Sequence, residues 1–79
     1  MSIISQKVTG IIIEELGVDD VEVMPDVSLT EDLGADGADM AEIIKALESE
    51  FEITIPSEDA TSLTTVKDII AYIEDHAET

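Results

Sequence analysis

Aliphatic side chains recur at the spacing of an α-helix in three segments of the chain, and this period constrains the fold more than any other feature. The segments are 4–16, 41–51 and 66–73, and their apolar residues fall three or four positions apart. Only Phe51 and Tyr72 are aromatic. The sequence therefore predicts an all-α protein with an aliphatic core.

Capping residues give the expected ends of these helices. Ser2 can begin the first helix, and Gly17 ends it. Asp36 is a good N-cap for a second helix that reaches about Glu50, with Ala41, Ile44, Leu47 and Phe51 on its inner face.

The remaining helical segments lie in the last third of the chain. Ile53–Ile55 is too short for a sheet and is interpreted as a packed connector. A short helix follows over 56–60, where acidic residues favour its first turn. Thr65 and Asp68 fit a capping box at the start of a last helix, and Glu74–Thr79 is expected to fray.

A long loop separates the first two helices, since no period holds from Val18 to Asp36 and Pro25 blocks a helix there. Within it, 28–33 could form one short helical turn. Long loops inside small domains are usually functional or tightly packed.

The excess of acidic residues limits the classes of molecule that the chain is expected to bind. Three basic residues face twenty acidic ones, for a net charge of −17, so nucleic acids and anionic membranes would repel the chain. Basic protein surfaces would attract it. There is no cysteine, apolar bilayer-length stretch or signal-peptide pattern. We expect a cytoplasmic monomer, although an organelle protein without its transit peptide would have the same features.

Several segments, in the same order, resemble the acyl carrier protein family. The resemblance covers nearly the whole chain. Its segments are Glu14–Val18 at the end of the first helix, Leu29–Asp36 before the second helix, Glu42–Phe51 within that helix, Ile55-Pro56 followed by acids, Thr64–Val66, and Tyr72-Ile73. The resemblance implies a four-helix up-down bundle with a short third helix, formed by residues 1–79 as a single domain. It also implies a role in shuttling acyl intermediates in fatty acid or polyketide metabolism.

Gly37 departs from the family at the position that matters most. In the family, a serine there carries 4'-phosphopantetheine, and its hydroxyl attacks the pyrophosphate of coenzyme A during loading. Glycine has no nucleophile, so no cofactor is expected at this site. Ala38 also replaces a leucine, which favours natural divergence over a single engineered substitution. Ser28 and Thr30 are not placed to substitute.

The resemblance implies that the second helix docks on basic surfaces of synthases, acyltransferases and ligases. The alternative interpretation is that the acidic face of the second helix is only exposed to solvent and binds no partner. Lys45 replaces an apolar residue that often contacts partners in the family. The residues expected to bind partners are Asp36, Asp39, Met40, Glu42, Ile43, Lys45 and Glu48.

No pattern predicts an enzyme or a metal site. Asp32, Asp36 and Gly37 match three positions of a calcium-binding EF-hand loop, but Gly34 and Ile43 stand where carboxylate ligands are needed. A hydrolytic triad and a phosphate-binding glycine loop are absent from the sequence.

Three hypotheses remain open at this point. The chain is a non-loaded member of a carrier system that docks on enzymes, an acidic interaction or regulatory domain that reuses the bundle, or a carrier modified elsewhere.

Overall fold

The computed structural model describes residues 3–77, which form four α-helices and a 3-10 turn. This architecture confirms the predicted all-α fold, with its short third helix and its long loop between the first two helices. The helices are α1 (Ile3–Leu16), α2 (Gly37–Phe51), α3 (Ser57–Ala60) and α4 (Val66–His76), and the 3-10 turn is Asp20–Glu22.

Helix α1 ends at a glycine, as the sequence predicts. Gly17 has a φ of 68°, in the left-handed region that glycine adopts without strain. Its N–H donates to the carbonyl of Ile13 at 2.8 Å, which satisfies one of the free carbonyls at the helix end. The expected cap at Ser2 lies outside the described residues.

Both α2 and α4 run antiparallel to α1. Lys7, near the start of α1, pairs with Glu50, near the end of α2, at 2.9 Å. At the same end of the bundle, His76 and Ala77 line a surface pocket together with Glu50. The first turn of α2, with Gly37, therefore lies at the opposite end of the bundle.

The core is aliphatic and draws on α1, α2, α4 and the segments between them. On α2, Ile43 and Leu47 are fully buried, whereas Ala41 is exposed. The predicted inner face of α2 was therefore wrong at Ala41 and omitted Ile43. The buried residues are Val8, Ile12, Val23, Leu29, Ala35, Ile43, Leu47, Ile55, Leu63, Val66, Ile69 and Ile73.

Backbone hydrogen bonds connect the long loop to the start of α4. The N–H of Leu29 donates to the carbonyl of Thr64 at 3.0 Å, and the N–H of Val66 donates to the carbonyl of Val27 at 3.2 Å. Leu29 is fully buried. Within residues 28–33, the N–H of Asp32 donates to the carbonyl of Ser28 at 2.9 Å, which is the bond of a single helical turn that does not continue into a helix. The sequence did not predict the 3-10 turn 20–22.

The last helix is longer than predicted. Residues 74–76, expected to fray, are helical. The ring of His76 stacks on that of Tyr72, with centroids 3.9 Å apart, and the N–H of Ala77 donates to the carbonyl of Ile73 at 2.8 Å. Residues 78–79, also within the expected frayed tail, lie outside the described part. None of the helices within 3–77 is long and apolar enough to cross a membrane.

Candidate functional site

Two aspartates cap the first turn of α2. The N–H of Asp39 donates to Oδ1 of Asp36 at 2.8 Å, and the N–H of Asp36 donates to Oδ2 of Asp39 at 3.1 Å. Each carboxylate thus satisfies a backbone donor of the other residue. The sequence predicted the cap at Asp36 and missed the reciprocal bond from Asp39, which the Asp-x-x-Asp spacing could have indicated.

Gly37 is the first residue of α2 and is exposed. A Cβ atom added at this position would meet no other atom within 4 Å. Its φ is not in the left-handed region, unlike those of Gly17 and Gly34. Neither packing nor backbone conformation therefore requires glycine at position 37.

Beside Gly37 lies a mostly apolar cavity of about 490 Å³, between α2, α3 and the segments that flank α3. Its volume falls within the range of small-molecule pockets in proteins. The cavity was not predicted from the sequence, because it is formed by residues far apart along the chain. Its lining residues are Thr30, Gly37, Met40, Ala41, Ile44, Ile55, Ser57, Ala60, Thr61, Leu63 and Thr64.

Two hydrogen bonds hold the α3 side of this cavity. The hydroxyl of Tyr72 donates to Oδ2 of Asp59 at 2.8 Å, and the N–H of Ile55 donates to Oε2 of Glu48 at 2.7 Å. The hydrogen bond to Asp59 raises the pKa of Tyr72, and partial desolvation and the charges of Asp59 and Glu48 add to this rise. These contacts connect α3 and its connector to α2 and α4.

The structure places the predicted docking residues in different environments. The side chains of Glu42 and Lys45 are exposed and form no polar contact with the described residues. Met40 is half-buried and lines the cavity. Ile43 is fully buried in the core, so its side chain is not available to a partner, and its assignment to the docking face was wrong.

The other acidic residues of the predicted face already have partners within the chain. Asp36 and Asp39 form the cap of α2, and Glu48 binds the N–H of Ile55. Charge changes at these positions would therefore also affect the fold. Among the described residues no group of three or more histidines and carboxylates could hold a metal ion.

A family model described as "Phosphopantetheine attachment site" matches residues 6–73. The match spans most of the chain and includes all of α2 and the cavity. The chain therefore belongs to this family of carrier proteins, which bind 4'-phosphopantetheine, interact with enzyme partners and are not themselves catalytic.

The residues at the attachment position do not fit the prosthetic group of the family. Attachment forms a phosphodiester through a side-chain hydroxyl, and Gly37 has none. The hydroxyls that line the neighbouring cavity belong to the loop before α2, to α3 and to the segment after α3, at Thr30, Ser57, Thr61 and Thr64. None of these hydroxyls is on the first turn of α2.

Proposed function

We propose that this chain is a member of a fatty acid or polyketide carrier system that is not loaded at position 37 and acts by docking on carrier-recognising enzymes. The observation that supports this most directly is the geometry of Gly37. The backbone there is compatible with serine and the neighbouring space is open. Glycine therefore removes the attachment chemistry without any structural need for it.

The exposed side of α2 supports the docking role. Glu42 is exposed and is not engaged by other described residues, so its charge is available to a basic partner. Lys45 is the only one of the three lysines that forms no ion pair within 3–77, since Lys7 pairs with Glu50 and Lys67 with Asp26. A net charge of −17 would accelerate encounter with basic surfaces.

The loading experiment incubates the protein with coenzyme A and a broad-specificity phosphopantetheinyl transferase, and measures intact mass. The unaltered chain should keep its mass, whereas Gly37→Ser should gain the prosthetic group at least partially. Loading of this variant is expected to be incomplete because Ala38, which replaces the leucine of the family, weakens recognition by the transferase. Gly10→Ser is the matched control, because Gly10 also has open space around it. A phosphopantetheine adduct on the unaltered chain would refute the proposal.

Docking is tested by measuring association with a carrier-recognising synthase across a salt series. Glu42→Lys should slow association several-fold at low salt and flatten its salt dependence. Lys45→Met should strengthen docking if an apolar contact is used there. The matched control is Glu74→Lys, which makes the same charge change on exposed α4, at the end of the bundle opposite Gly37.

The control separates local docking from overall charge. If Glu42→Lys and Glu74→Lys slow association equally, the α2 surface has no special role in docking. The chain would then be better described as an acidic interaction domain that reuses the carrier fold.

A further inference from the structure

A groove of about 340 Å³ lies between α1, α4 and the segment that begins with the 3-10 turn. We call it the α1–α4 groove. None of its lining residues belongs to α2 or α3, so it is separate from position 37 and from the cavity beside that position. The lining includes Thr9, Asp20, Val23, Pro25, Val66 and Ile70.

Two apolar side chains in the segment that lines this groove are exposed to solvent. Val21 follows Asp20 of the lining and is 75% exposed. Met24 lies between Val23 and Pro25 of the lining and is 57% exposed. Among residues 3–77, only one other large hydrophobic residue is exposed. Apolar side chains exposed beside a groove are typical of a surface that binds another molecule, and methionine adapts its shape to a partner.

Backbone hydrogen bonds hold this segment in one conformation. The N–H of Val23 donates to the carbonyl of Asp20 at 3.1 Å, and the N–H of Lys67 donates to the carbonyl of Pro25 at 2.9 Å. Val23 is buried in the core. The exposed side chains therefore belong to a preformed surface, which loses less conformational entropy on binding than a flexible loop does.

The lining also contains polar groups that are available to a partner. The carboxylate of Asp20 and the hydroxyl of Thr9 form no hydrogen bond with the described residues. None of the three lysines lines the groove, and Lys67, which follows a lining residue in the chain, already pairs with Asp26 at 2.9 Å. The carboxylate that lines the groove is therefore free to accept a hydrogen bond from a cationic side chain.

Charge and length select the kind of partner. A second copy of the chain would bring another net charge of −17 to the contact, and an anionic membrane would be repelled as well. A basic protein segment would be attracted. Val66 and Ile70 line the groove four positions apart on α4, so the groove is about one helical turn long. Two apolar side chains four positions apart on a partner helix have the same spacing.

We propose that the α1–α4 groove, together with Val21 and Met24, is a second docking surface, which binds a basic amphipathic helix of a partner protein. Two apolar side chains of that helix pack in the groove, and a neighbouring lysine or arginine donates to Asp20. Neither position 37 nor Glu42 contributes to this surface, so it does not depend on the proposed function. The chain can then bind two proteins at once, one at α2 and one here.

The experiment titrates the purified full chain with a capped alanine–lysine peptide of about 16 residues, long enough to be helical, that carries two leucines four positions apart. Backbone amide NMR shifts report where the peptide binds. Saturable shifts are expected at Val21, Val23, Met24 and Ile70. A peptide with alanines in place of the leucines should bind at least about tenfold more weakly. A peptide with glutamates in place of the lysines should give no saturable shifts.

Two pairs of variants test the apolar contact and the charge. Met24→Ser should weaken binding of the leucine peptide several-fold. Its control is Ile3→Ser, because Ile3 is 68% exposed and does not line the groove. Asp20→Asn should reduce the affinity and flatten its salt dependence. Its control is Asp75→Asn, which makes the same charge change at an exposed position on α4 outside the lining.

Each control defines a result that would overturn the proposal. Equal weakening by Met24→Ser and Ile3→Ser would show general adhesion to apolar groups, and equal affinities of Asp20→Asn and Asp75→Asn would show attraction to overall charge. Saturable shifts centred on Glu42, or none at all, would also refute the surface. If the chain alone self-associates in sedimentation and Met24→Ser abolishes this, the occupant is a second copy. Loading at position 37 and docking through Glu42 are measured separately, so either proposal can fail alone.

Discussion

The cap of α2 allows a prediction in which charge and hydrogen bonding are separated by two substitutions at one residue. Asp36→Asn and Asp36→Ala both remove one of the twenty acidic side chains. Only asparagine keeps an oxygen that can accept from the N–H of Asp39, as Oδ1 of Asp36 does at 2.8 Å. The difference in stability between the two variants therefore measures the cap and not the charge.

The expected difference follows from the contacts. Asparagine and aspartate are about equally good N-caps, and replacing either by alanine costs about 1 kcal/mol. The cap is exposed, so a value in the lower half of the range of about 0.5–2 kcal/mol is expected. In a chain of 79 residues, 1 kcal/mol changes the melting temperature by about 4–8 °C. Asp36→Asn should thus melt several degrees above Asp36→Ala.

The assay is thermal unfolding followed by circular dichroism, at one salt concentration and neutral pH. Asp36→Asn should equal or exceed the unaltered chain, because it also relieves repulsion among the carboxylates. Identical melting temperatures for the two variants would refute the reasoning, since the bond at Asp36 would then contribute nothing to stability.

Two further predictions follow from charge and from Tyr72. The net charge is −17, and residues 3–77 contain only two ion pairs, both exposed, so most carboxylates repel one another. Sodium chloride or millimolar magnesium should therefore raise the melting temperature by screening this repulsion. An unchanged melting temperature would contradict the prediction. Because its hydrogen bond to Asp59 raises its pKa, Tyr72 should form tyrosinate above the usual pH of about 10, and Asp59→Ala should lower that midpoint in an absorbance titration. Since the pKa of Tyr72 is raised in the folded state, the hydrogen bond between Tyr72 and Asp59 contributes to stability below about pH 10. That contribution is lost as the pH rises through the folded-state pKa of Tyr72.

The sequence predicted the features that local chemistry determines. Gly17, Asp36 and the pair of Thr65 and Asp68 mark helix ends through bonds within four residues, and all of these ends agree with the structure. The apolar period predicted the helices themselves. Such signals can be read from a sequence because both partners of each interaction lie close together in the chain.

The sequence failed where an interaction joins distant residues or depends on helix rotation. The bond between Tyr72 and Asp59 joins α4 to α3, and the bond from Ile55 to Glu48 joins the connector to α2. Ile43 and Ile44 are neighbours of the same type, and only the packing of α2 on α1 decides that Ile43 is the one fully buried. The cavity escaped prediction for the same reason.

The open space around Gly37 has a consequence for how this chain evolves. Because a side chain at position 37 meets no obstacle and no unusual φ is required, a mutation to serine would not be removed through loss of stability. Selection on folding is therefore indifferent to whether this position can be loaded. If lineages retain glycine there, the force that retains it acts on the consequences of loading in the cell and not on the fold.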